Sequence, residues 1–406
     1  MARPLSHIRV LDLTRVLAGP WASQNLADLG AEVIKIERPG SGDDTRDWGP
    51  PFLKDKDGKE TRESAYFLSV NRGKKSVTLD IAKPEGAELA RGLAKKSDVL
   101  IENYKVGGLA KYGLGYEDLK TLNPRLVYCS VTGYGQSGPC AHLPGYDFIF
   151  QGMGGLMSIT GERDELPGGG PQKVGIAVTD VMAGMYASLA VTAALLHRER
   201  TGQGQYIDIA LLDTIVAFGA NQIFNYFHSG KVPERWGNAH PNLLPYEVFA
   251  TADGHIILGA GNDSQWADLC AAAGRPELAR DPRFKTMPDR IRNRGALIPI
   301  IQDFMKRRSS RDWIERFGAA NVPCGPINNY KEVFENHQVR HRGLKVEMRH
   351  PLAGTTPSVA SPMRFSETPV SYGAPPLLGE HTREVLSRVL GISEAELDRL
   401  VARKIT

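Results

Sequence analysis

The chain has 406 residues, 24% charged and 41% hydrophobic, with a net charge of only +4. That length allows two domains with ample cores, and the near balance of charge with no long basic run argues against a nucleic-acid partner. Four cysteines, Cys129, Cys140, Cys270 and Cys324, form no C-x-x-C pair, which argues against a zinc knuckle or a disulfide framework and fits a cytoplasmic, reducing setting.

In chain order, IRVLDL (Ile8 to Leu13) reads as a short apolar strand, GPWASQNLADLG as a helix with Pro20 at its start and Gly30 past its end, and EVIKIE (Glu32 to Glu37) as a second strand. This is a βαβ unit and implies a parallel sheet. The alternation continues through SVTLDI, a helix from Pro84 to about Lys96, DVLIEN, a helical Tyr116–Leu122 and LVYCSVTGYG. The fold class is therefore α/β, with a large doubly wound, Rossmann-like parallel-sheet domain. Residues 1–219 form its first part. Residues 220–325 read as a smaller α+β domain, with a hairpin around Ala252–Gly254 and helices around Ser264–Ala273 and Arg290–Arg307. Residues 326–406 are a linker and a tail that returns to the large domain, with a last helix near His381–Val389.

MARPLSHIRVLDL at the start lacks the pattern of a signal peptide. Between Asp180 and the end of its helix lie sixteen residues without a charge, Val181 to Leu196. They fall short of the ~20 needed to span a bilayer and read as a helix buried on all faces. Asp180 stands at the start of that helix. It reads either as a plain N-cap, kept ionised by the orphan N–H groups and the helix field, or as a carboxylate nucleophile at the edge of a dry interior. Ala183 and Gly184 leave the next turn without bulk, as if a reactant must approach there.

ERPGSGDDTRDWGPPF (Glu37 to Phe52) places Arg38 and Arg46 in a loop at the carboxyl end of a strand, where open sheets bind ligands. NRGKKS (Asn71 to Ser76) puts three cations into five positions, as either a phosphate site or a solvent-facing turn. QGMGGLMSITG lacks the dinucleotide spacing G-x-G-x-x-G, there is no Walker A loop, GQSGP is not a nucleophile elbow, and HQVRH lacks the Glu of a zinc-protease helix. No metal site is expected.

Taken together, VLDLTRVLAGP, GAEVIKIERPGSGDDTR, NRGKKSVTLD, IENYKVGG, VTGYGQSGP, the Asp180 segment ending in RTGQGQ, VPCGPINN and PPLLGEHT follow one another in an order that resembles the class III, formyl-CoA transferase type, CoA-transferases. Within that family, ERPGSGDDTRDWGPPF and the stretch from Arg235 to Asn262 resemble the succinyl-CoA:glutarate branch. Leu17 stands where formyl-CoA transferases carry Gln, and NAHPN (Asn238 to Asn242) stands where they carry a glycine-rich flap, which argues against formyl-CoA and oxalate as the natural pair.

The resemblance implies that Asp180 is the nucleophile of a covalent CoA relay. It implies a site for coenzyme A, as substrate and not as a resident cofactor, at Ala18, Arg38, Leu79, Asp80, Asn103, Tyr104, Lys111, Tyr146 and Asp147. It implies an interlocked, ring-like homodimer that takes acyl-CoA and small carboxylic acids, with no nucleic acid and no membrane as partner. A dicarboxylic acceptor needs a cation for its far carboxylate. The candidates are Arg15, Arg46, Arg72 and His240, with Arg15 and Arg72 favoured, and the NAHPN loop is the candidate cover that excludes water. Two other readings remain: an acyl-CoA α-carbon racemase of the same fold, and an inactive acyl-CoA-binding protein.

Overall fold

The structure is a computed structural model and describes residues 3–406. It divides into two compact units. The first comprises the chain up to Leu156, Lys173–Gly230 and everything from Arg342 onward; the second comprises Met157–Gln172 and Lys231–His341. Hydropathy does not mark the Met157–Gln172 excursion. It also places the change of texture near residue 220, whereas a helix carries the first unit on to Gly230, where a left-handed glycine stops it.

The first unit opens with β1 (Arg9–Asp12), α1 (Ala18–Asp28) and β2 (Glu32–Glu37). A small hairpin, β3 (Phe52–Lys54) with β4 (Glu60–Ser64), leads to α2 (Ala65–Val70). Then come β5 (Lys74–Thr78), α3 (Pro84–Lys95), β6 (Val99–Glu102), α4 (Tyr116–Leu122), β7 (Val127–Thr132) and α5 (Asp147–Met153). After α6 (Leu156–Ile159) and the excursion, α7 (Val178–Thr201), β8 (Tyr206–Ala210), α8 (Leu211–Phe218) and α9 (Ala220–Ser229) complete this stretch. Six of these strands form one sheet in the order β5-β2-β1-β6-β7-β8, every pair parallel. Chain order reverses between β1 and β6, so the crevice beyond their carboxyl ends is the ligand position for such a sheet.

Strand residues alternate between two cores. Val10, Val33, Val99 and Val127 join α1 and α7 in one; Leu11, Ile34, Leu100 and Tyr128 join α3 in the other. Burial on both faces explains why these strands read as continuous apolar runs.

The second unit has a three-stranded antiparallel sheet, β9 (Tyr246–Ala250), β10 (His255–Gly259) and β11 (Cys324–Pro326), with α10 (Asp263–Ala272), α11 (Met287–Arg292), α12 (Arg294–Met305), α13 (Ser310–Ala319), α14 (Tyr330–Glu335) and α15 (His337–His341). The hairpin turns at Ala252–Gly254 as expected, with His255 opposite Ala250. The helix expected over Arg290–Arg307 is two helices. Asn293 ends α11 and starts α12, and its side-chain amide donates to the Arg283 and Asp289 carbonyls. The tail adds the hairpin β12 (Lys345–His350) and β13 (Gly354–Val359), then α16 (Thr382–Leu390) and α17 (Glu394–Ala402), all in the first unit. Val385, Leu386, Leu397 and Leu400 of the last two helices close the core on the α3 side.

By length and composition, α7 alone among the described helices could cross a membrane. It lies instead against α1, α5, α8 and strands β7 and β8. The expectation that it is buried on every face does not hold: Met185, Tyr186, Leu189 and Leu196 are exposed. The absence of charge thus has two causes here, a core on one side and an uncovered apolar face on the other.

Candidate active site

The carboxyl end of β1, the body of β2 and the start of β5 carry a buried layer of charge. Lys35 Nζ lies 2.8 Å from Asp43 and donates to the Thr14 carbonyl. Lys74 Nζ lies 3.1 Å from Asp12 and also donates to Pro20 O and Asn71 Oδ1. Burial alone would raise the Asp43 carboxyl, but the Lys35 ammonium outweighs it and holds the group down at about 2. Burial pushes the Lys74 ammonium down to about 8. A network this fully paired is rigid, and the ligand-facing loops are built on it.

One such loop follows β1. The Arg15 N–H donates to Asn103 Oδ1 at 3.0 Å, and the Arg15 carbonyl accepts from Asn103 Nδ2 at 2.8 Å. The next N–H, of Val16, donates to Asp43 at 3.2 Å. Val16 has φ +70°, a left-handed conformation that is costly for a β-branched residue. Sequence patterning gave no sign of it.

Beyond this loop lies a cavity of about 290 Å³, lined by Arg15, Leu17, Ala18, Asp44, Asn103, Tyr104, Lys105, Thr132, Gly133, His142, Tyr146 and Asp180, among others. A second cavity of about 210 Å³ shares Arg15, Asp44 and Tyr104 with it and adds Arg38, Leu79 and Asp80. A third, of about 410 Å³, shares Ile81, Ala82 and Tyr112 with the second and brings Lys111. Eight of the nine residues expected around coenzyme A therefore line three neighbouring cavities with shared wall residues, the first of which Asp180 lines. The ninth, Asp147, stands directly behind Asp180.

Asp180 is not the N-cap. The helix begins at Val178, and Ala177 occupies the cap position without a side-chain bond. The cap is supplied from α5: Asp147 accepts the Thr179 N–H at 2.8 Å and a Gln151 amide N–H at 2.7 Å. Asp180, 9% exposed, is thereby left facing the cavity. Its carboxyl was expected to be depressed by the helix end. Burial, with the Asp147 carboxylate second, instead pushes it up to about 7. Tyr66 belongs to the same neighbourhood, its phenol pushed up to about 12 by burial and by Asp180, Asp147 and Asp43.

Two further expectations are corrected. Ala183 and Gly184 do not make room for a reactant. Ala183 is in the core, and a Cβ at Gly184 would lie 2.6 Å from Ala18 O and 2.9 Å from Trp21 Cβ. The small residues let α1 and α7 approach, which sets Ala18 beside the cavity. Nor are Arg46 and Arg72 free to hold a ligand. Arg46, 4% exposed, grips Glu37 with two nitrogens at 2.8 Å each and Glu63 at 3.0 Å. Arg72, 6% exposed, grips Asp28 at 2.8 and 2.6 Å. The whole NRGKKS cluster is internally paired, since Lys75 meets Glu32 and Glu384; it is neither a phosphate site nor a solvent turn.

Arg15 is different. Its side chain is 49% exposed, with one contact to Asp44 at 3.3 Å and the Tyr104 ring 5.5 Å away. His240 lies in the second unit. Its Nδ1 accepts the Asn242 N–H, its carbonyl accepts from Arg294, and its ring meets Tyr246; burial, then Arg294, lowers its pKa. Sequence reasoning missed Asp44, Tyr66, Lys105 and His142. The doubled Asp of GDDTR was the one available signal; Tyr66 follows a hairpin and carries none.

The sequence model of CoA-transferase family III matches residues 5–382. A succinate–glutarate CoA-transferase of Agrobacterium fabrum is 50% identical over 387 residues, 95% of this chain and 96% of that protein. A succinyl-CoA:glutarate CoA-transferase of Mus musculus is 46% identical over 400 residues, 98% of this chain and 89% of that protein. Among solved structures, a CAIB/BAIF family protein from Brucella suis gives a TM-score of 0.84 at 45% identity, covering 96% of this chain and 100% of that one.

Proposed function

Because the chain belongs to CoA-transferase family III and is an enzyme that transfers CoA, we propose that it moves CoA from succinyl-CoA to a free dicarboxylic acid, glutarate being the first acceptor to test, by a covalent relay on Asp180. The observation that supports the relay most directly is that Asp180 faces the cavity at the sheet's switch point while Asp147 does the capping.

In this scheme an Asp180 oxygen attacks the thioester carbonyl. The C–S bond breaks, CoA leaves as thiolate, and a mixed anhydride forms. The thiolate then attacks the Asp180 carbonyl carbon, releasing the donor acid and leaving an aspartyl-CoA thioester. The acceptor carboxylate attacks that thioester, giving a second anhydride and free thiolate. The thiolate takes the acceptor acyl carbon and restores Asp180. A carboxylate held near 7 by burial is more basic and less hydrated than one in water, and both favour attack. Arg15 is the clamp for the far carboxylate, because among the three arginines first considered it alone keeps a largely uncommitted guanidinium. Brief mixing with acyl-CoA followed by hydroxylamine tests the relay: Asp180 should be recovered as the hydroxamate, and absence of label there, with transfer intact, would overturn it.

The working form in this proposal is an interlocked homodimer in the cytoplasm. Its first support is the apolar surface of the first unit, including Tyr146, Phe148, Ile149, Leu189, Phe224 and Phe227, all exposed in the single chain. Its second is that all four cysteines are unpaired. A monomer by light scattering would refute the dimer. One observation favours a second reading, α-carbon racemisation: His142 lines the same cavity as Asp180. Deuterium exchange at the acyl α-carbon without any acceptor acid would support it.

A further inference from the structure

We propose that Asp44 tunes the affinity for dicarboxylic acceptors: it is the resting counter-ion of Arg15, and the far carboxylate of a dicarboxylic acid takes its place. This rests on the reading of Arg15 as the clamp.

The two side chains meet through one contact, Nη1 to Oδ2 at 3.3 Å, with 49% and 56% of their side chains exposed. Both line the Asp180 cavity and the neighbouring cavity of Arg38 and Asp80, so the pair belongs to the wall the two share. An exposed pair of this kind is weak and exchanges readily. A guanidinium has five N–H donors in a planar fork, and a single contact leaves most of them unused. Arg46 and Arg72 show the contrast, each closed on a carboxylate by two bonds of 2.6 to 2.8 Å.

The backbone beneath Arg15 cannot follow its side chain. Asn103 holds both the N–H and the carbonyl of Arg15, and Asp43 holds the N–H of Val16. Motion is confined to the side chain, with the Tyr104 ring alongside. A dicarboxylate whose near end reaches Asp180 can present its far end to Arg15 as a bidentate acceptor, a stronger bond than the one Asp44 makes. A monocarboxylate has no second group to offer and leaves the Arg15–Asp44 pair closed. Asp44 is thus a competitor that a dicarboxylate must displace and that a monocarboxylate leaves in place.

The test is the KM for glutarate and for butyrate at saturating acetyl-CoA donor, in wild type, Asp44→Asn, Arg15→Met and the double variant. Asp44→Asn is expected to lower the glutarate KM by ~2- to 5-fold, the size of an exposed ion pair, and to leave the butyrate KM unchanged. The gain should vanish in the Arg15→Met background. If Arg15→Met raises the glutarate KM selectively but Asp44→Asn does not lower it, the clamp stands and the counter-ion role is overturned. If Arg15→Met affects both acids equally, the clamp itself fails and this inference with it.

Discussion

Asp147 accepts the Thr179 backbone N–H at 2.8 Å, so the helix that carries Asp180 is capped by a carboxylate from a different helix. One carboxylate does the capping and the other faces the cavity. The same arrangement places a negative charge behind Asp180 and helps burial to push its carboxyl up to about 7.

In the proposed relay Asp180 must be ionised to attack, so kcat/KM for acyl-CoA should rise as pH climbs to about 7 and level off above it. Asp147→Asn keeps an oxygen acceptor for the Thr179 N–H but removes the charge. Its pH–rate profile should keep the same shape with the acid limb moved to lower pH; an unmoved limb would show that Asp147 does not act on Asp180 electrostatically. Asp147→Ala loses the cap as well and should cost about 0.5–2 kcal/mol of stability, read by denaturant unfolding.

Asp180→Asn should reduce transfer by roughly 10³-fold or more while leaving CoA binding, followed by calorimetry, largely intact. It also has a stability signature. The folded-state value of Asp180 is raised from 3.8 to about 7, so its contribution to stability is fully present below 3.8 and is lost as pH rises through about 7. The Asn variant has no such loss. Its stability advantage over wild type, followed by thermal unfolding, should grow between about pH 4 and 7 and then stay flat, at most ~4 kcal/mol.

Arg46→Met and Arg72→Met should be stability variants. Each strands a buried carboxylate, Glu37 or Asp28, at a cost of ~3–5 kcal/mol, and the protein that remains folded should keep its preference between dicarboxylates and monocarboxylates. Arg15→Met should do the reverse, with an unchanged urea midpoint and a selective loss on dicarboxylates. A selective loss in Arg72→Met would show that its pairing with Asp28 is not what fixes its role.

Gly184→Ala should cost ~1–3 kcal/mol through overpacking between α1 and α7, because its Cβ has the Ala18 carbonyl 2.6 Å away. The displaced segment is the one that lines the cavity, so KM for acyl-CoA should rise as well. A variant of full stability and unchanged KM would show that the two helices can part without cost.

The sequence by itself determined the parallel sheet, because alternating apolar runs and capped helices leave few other ways to bury both faces of a strand. It also brought forward Asp180 and eight of the residues that line the three cavities, through their resemblance to a family with that order of motifs. Charge is where it stopped. Arg15, Arg46 and Arg72 look alike as letters in glycine- and aspartate-rich loops. Only the tertiary structure decides that Arg46 closes on the buried Glu37 and Glu63 and Arg72 on the buried Asp28, while Arg15 reaches the cavity. The ionisation of Asp180 was misjudged for the same reason. A helix end is local and can be read from sequence, but burial and a carboxylate 33 positions away act through space, and both push the Asp180 carboxyl up.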